Sequence, residues 1–173
     1  MTLRRILLSL LGAALSLPVG AAKWTATFDH VGPLRLGMSL AAVNRVLGDH
    51  LSTPSIPAQD PGNSCFVVQP ARFPLLYLMV IDGRLERIDV TARGVPTAKG
   101  VQVGDTEKAV LAAYGTGTHI APAAYYVEDP NYKSITVLSA GGRHGARFLS
   151  DHGKIKWYRI GTAKAIQYDE GRA

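Results

Sequence analysis

Apolar and polar positions along this chain follow two periods, and the pair of patterns occurs twice. Leu34 and Leu36 alternate with polar neighbours, and beyond Gly37 the apolar residues Val43 and Leu47 fall four apart, as on one helix face. The order returns at Val101 and Val103, then Gly104, then Val110 and Tyr114, again four apart. Ser39 and Thr106 stand where a hydroxyl caps the first helical turn, and Gly48 and Gly115 where a left-handed residue ends it. A period of two then predicts a hairpin in residues 75–90 and another in 146–160, turning at Asp82-Gly83 and His152-Gly153. A further strand is expected before each hairpin, near residues 65–69 and 134–138, and a last one through 164–168. Segments 52–63 and 116–124 read as loops, and 93–99 as the link between halves.

The two halves align at an offset of 67 through the helix and of 70 through the hairpin, so a net three-residue insertion separates them. A unit of this size cannot bury a helix face and a sheet face alone. The expectation is therefore an α+β fold: two helix–hairpin repeats, about 31–90 and 99–160, sharing one antiparallel sheet with the helices packed on one side. Residues 23–173 then form a single domain that includes a C-terminal strand.

Residues 1–22 read as a signal peptide. Arg4 and Arg5 precede the apolar run 6–17, Pro18 breaks it, and Gly20-Ala21-Ala22 offers the small residues of a cleavage site. The run is too short for a membrane anchor, which takes about 20 apolar residues. Cleavage before Lys23 predicts a protein exported through the inner membrane, periplasmic or secreted, with no membrane span left. Cys65 is the one cysteine, so no disulfide framework is possible. A buried, inert thiol is expected there, or half of an intermolecular bridge.

Gly37-Met38-Ser39, Val43 and Leu47-Gly48, followed by a strand and a hairpin with an Asp-Gly turn, resemble the opening motif of the small outer-membrane-assembly lipoproteins. A tandem pair of such units is similar to the β-lactamase inhibitory protein fold. The likeness spans about residues 31–160, although Asp105 departs from the motif and the lipid-bearing cysteine is missing. It implies a cell-envelope or secreted protein that works by binding.

Composition adds little chemistry. The formal charge is +6 and 47% of residues are hydrophobic, which excludes a disordered chain. His30, His50, His119, His144 and His152 form no metal-ligand spacing and are expected in turns or loops, so neither metal nor cofactor is expected. Gly115-Thr116-Gly117 follows a helix instead of a strand, the wrong order for dinucleotide binding. Glu128-Asp129 before Pro130 reads as a turn. The second half is richer in aromatic and basic residues. Arg143, Arg147, Lys154, Lys156 and Arg159, with Trp157, are the candidate binding residues, because Trp, Tyr and Arg dominate binding hot spots. The expected function is non-catalytic binding of a protein or an anionic envelope polymer, with nucleic acid excluded. The alternatives are a small envelope hydrolase using His30, His144 or His152, and a purely structural envelope component.

Overall fold

The structure is a computed structural model, and residues 24–52 and 65–169 are described. The expected signal segment 1–22 lies outside the described residues. Two-residue strands β1 (His30–Val31) and β2 (Leu34–Arg35) pair as a small sheet of their own. Helix α1 (Leu40–Leu47) follows, and then β3 (Cys65–Val68), β4 (Leu76–Ile81) and β5 (Arg84–Val90). After the linker come α2 (Glu107–Tyr114), β6 (Thr118–Pro122), β7 (Tyr132–Leu138), β8 (His144–Asp151) and β9 (Lys154–Thr162). The large sheet is antiparallel throughout, in the order β3-β4-β5-β9-β8-β7-β6.

The expected α+β arrangement, with helices packed on one side of the sheet, is not what forms. The chain is mostly β: a seven-stranded antiparallel sheet, a two-stranded sheet, and two short helices. The reason is length. Each capped segment runs eight residues before its terminating glycine, about 12 Å of helix, against a sheet about 29 Å wide. The helices bury Val43, Leu47 and Val110 and little more. The rest of the cover over the core face comes from Ala26, Val31 and Leu34 of the small sheet, and from Val95 and Val101 of the linker. Beneath them lie Leu76, Leu78, Ile88, Val90, Ile135, Phe148, Tyr158 and Ile160, each fully buried. The Tyr158 hydroxyl donates to the Val95 carbonyl at 2.8 Å, tying linker to sheet. Two local expectations also fall. Residues 118–122 form a strand instead of a loop, and residues 165–167 form a 3-10 turn instead of a strand.

The caps form as their chemistry dictates. Ser39 Oγ accepts from Ala42 N–H at 3.3 Å and Thr106 Oγ1 from Ala109 N–H at 3.2 Å. Gly37 N–H donates to Leu85 O at 2.7 Å, and Gly104 N–H to Ile155 O at 2.8 Å. Both hairpins turn through two left-handed residues, Asp82-Gly83 and His152-Gly153. Both carry a bulge, at Met79/Val80 and at Leu149/Ser150. The halves meet at the β5–β9 seam, where Ile88 faces Ile160, Asp89 faces Arg159 and Val90 faces Tyr158.

Candidate functional site

Opposite the core face, the sheet carries charge. Arg147, Arg159 and Asp89 stand in one row across β8, β9 and β5, each opposite the next, and Arg87 lies one row away. All three arginines are buried, at 2% exposure for Arg87, 8% for Arg147 and 4% for Arg159. What buries them is the C-terminal segment, which leaves β9 at Thr162 and folds back over the sheet. Arg87 Nη1 donates to the carbonyls of Ala165 (3.2 Å) and Tyr168 (2.8 Å). Arg147 Nη1 donates to Gln167 O (3.1 Å) and lies 2.9 Å from the Asp169 carboxylate, while its Nε donates to Ser134 Oγ. Arg159 Nη1 donates to Tyr168 O. Asp89 accepts from Arg87 Nη2 at 3.0 Å and sits 3.6 Å from Arg159 Nε. The Arg159 guanidinium also lies over the Trp157 ring, 4.2 Å from its centroid. Burial outweighs the Asp89 charge and pulls the Arg159 guanidinium down to about 10.

The single basic patch expected from the last hairpin therefore does not assemble. Lys156 is the extra residue of the β8–β9 bulge, since Leu149 pairs with Trp157 and Ser150 with Ile155. This insertion shifts the alternation, so that Ile155 joins Tyr158 and Ile160 on the core face. Lys154 and Lys156 are exposed at the hairpin turn, where Lys156 reaches Asp151 at 3.3 Å. Arg143 is exposed at the other end of β8. Arg147 and Arg159 are covered, and Trp157 is half-buried under Arg159. Sequence reasoning missed Arg87 and Asp89. The strand that carries them, Arg84–Val90, also holds Arg84 and Glu86, so their charge alone did not set them apart.

The histidines do not build a relay. At His30, Thr27 Oγ1 (2.8 Å) and Asp29 Oδ1 (2.9 Å) both meet Nδ1, whereas a relay holds nucleophile and carboxylate on opposite ring nitrogens. His152 Nδ1 meets Asp151 at 2.5 Å, and this bond raises the His152 pKa and lowers that of Asp151. The neighbouring Ser150 is fully buried and donates to Glu107 at 2.5 Å, which Lys133 also holds, at 3.1 Å. His30, His119 and His144 lie on strands instead of in loops. Cys65 is half-buried at the start of edge strand β3. Among the described residues, no three His, Cys, Asp or Glu groups gather as a metal site.

The other distinctive surface is at the opposite edge. Ile120 of edge strand β6 pairs with fully buried Ile135 and so lies on the core face, yet it is 47% exposed. Cover ends one strand short. Val127, 69% exposed, and Tyr126 extend this apolar rim, and Tyr126 stacks on Tyr132 with ring centroids 4.2 Å apart. Between strand and loop lies a shallow, mainly apolar cleft of about 520 Å³, lined also by Pro122 and Pro130. No described helix is long and apolar enough to cross a membrane. No family model, curated protein or solved structure matches the chain.

Proposed function

We propose that the chain is an exported, non-catalytic interaction protein of the cell envelope or extracellular space. Its partner is a protein that adds an extended, apolar segment to β6. The observation that carries this reading is the mismatch at Ile120, a core-face position on a terminal strand that is nevertheless 47% exposed. A terminal strand presents main-chain donors and acceptors along its outer side, and an added strand uses both these and the adjoining apolar cleft. Exposed apolar surface gathered in one place marks an interaction site more often than scattered residues do. The likeness to the assembly lipoproteins and to the β-lactamase inhibitory protein belongs with this reading, as does duplication of the two halves. The hydrolase alternative has less support, because both His–Asp contacts engage a single ring nitrogen and the serine beside one of them is sealed in.

A photo-crosslinking residue at Val127, in the full chain expressed in its own cells, tests the proposal. One discrete adduct is expected, and Ile120→Lys should abolish it while leaving the fold intact. Adducts that are absent, or unaffected by Ile120→Lys, refute it. Intact mass of the exported chain tests cleavage before Lys23.

A further inference from the structure

Arg147 and Arg159 face each other directly across β8 and β9, an arrangement that destabilises a sheet when both are charged. Here both are buried, so water does little to screen them. Two carboxylates, Asp89 and Asp169, stand against three guanidiniums, and the remaining acceptors are neutral: the Ser134 hydroxyl and the carbonyls of residues 165–168. Seating the C-terminal segment does not require such an array. Ala165 and Ile166 already anchor it by apolar burial, and Ile166 fills the room left by Gly145, whose absent Cβ would come 3.0 Å from the Ile166 side chain. Guanidinium forks match oxyanions far better than they match single carbonyls. Residues held at such cost to stability concentrate at functional sites.

We propose that Arg87, Arg147 and Arg159 form a binding site for a dianionic phosphate group, and that residues 163–169 occupy it as an intramolecular competitor. The Asp169 carboxylate holds the place of the ligand's charge on Arg147. Once the segment lifts, three guanidiniums face Asp89 alone, and the surplus of two positive charges matches a phosphate dianion. The competitor is tethered directly to the end of β9, so its local concentration is high and the ligand's net affinity is correspondingly modest. This site lies on the charged face of the sheet and does not rest on the β6 reading.

Thermal unfolding of the full chain in inorganic phosphate, against chloride at matched ionic strength, tests the site. Phosphate is expected to raise the midpoint beyond chloride, because a ligand that binds the folded state stabilises it. Asp169→Asn should bind phosphate about tenfold more tightly, since the charged competitor is gone, and Arg147→Gln should lose the phosphate-specific rise. If Arg147→Gln does not fold, the comparison of Asp169→Asn with the parent chain decides alone. Equal phosphate affinity in those two, or a rise no larger than that in chloride, overturns the proposal. Glycerol 3-phosphate in parallel identifies the source: tighter binding than inorganic phosphate points to a phosphorylated molecule, weaker binding to the free ion.

Discussion

Asp89→Asn tests how the charged face is held together. The carboxylate accepts from Arg87 at 3.0 Å, lies 2.8 Å from its Nε, and is 3.6 Å from Arg159. The substitution keeps size and shape but leaves three buried guanidiniums with Asp169 as their nearest remaining carboxylate. Removing one partner of a buried ion pair costs about 3–5 kcal/mol. The Asp89 side chain is 15% exposed, so the lower end applies, about 3 kcal/mol. In a chain of this size that is a midpoint lower by about 6–12 °C. Urea unfolding should show the loss with an unchanged slope. The sharper measurement adds Arg159→Met in a double-mutant cycle. If the cost comes from uncompensated charge, the double variant should be more stable than Asp89→Asn alone. A loss below about 1 kcal/mol, or a double variant less stable than the single one, would show that these guanidiniums are solvated and that their burial carries no electrostatic cost.

Three other outcomes follow from local geometry. Ser39→Ala and Thr106→Ala should each cost about 0.5–2 kcal/mol in urea unfolding, since each removes the acceptor for one amide of its helix. The His152 pKa is raised above 6.5 chiefly by its bond to Asp151, so its contribution to stability is full below that pH and is lost as pH rises through the raised value. An NMR titration of the ring should show this shift, and Asp151→Asn should remove it. Gly161→Ala should destabilise by about 1–3 kcal/mol, because the new methyl would sit 2.6 Å from Glu86 O and 3.2 Å from Arg87 Cα, measured by the same unfolding curves.

Local chemistry was the legible part of this sequence. Capping hydroxyls and left-handed hairpin turns follow from residues within one or two turns of each other, and Ser39, Thr106, Gly83 and Gly153 act as their types require, as does Gly48 at the end of α1. Gly115, expected to be left-handed like Gly48, instead has ψ −147° and opens a 3-10 turn. What covers the sheet was not legible, because an eight-residue amphipathic segment looks the same whether it covers a face alone or shares that work with a linker. The expected patch residues are spread for a specific reason. Residues 143–159 carry their charge and aromatic content openly, but no local pattern tells that the C-terminal segment folds over Arg147 and Arg159 while Lys154 and Lys156 stay exposed at the turn. Arg87 and Asp89 act through Arg159 and the C-terminal segment, partners about 70–80 residues away in the chain, and no local pattern announces such a pairing.

The seam between β5 and β9 also decides which strands will not join. Position 89 lies in the first hairpin where 159 lies in the second, and the two face each other at the centre of the pairing. Were two copies of β5 from separate chains to meet in that register, Asp89 would face Asp89, and two copies of β9 would set Arg159 against Arg159. Only the mixed pair joins opposite charges. Like charges directly opposite on neighbouring strands repel, so the residue at the middle of the seam steers each newly made chain toward closing on itself before it can zip to a neighbour.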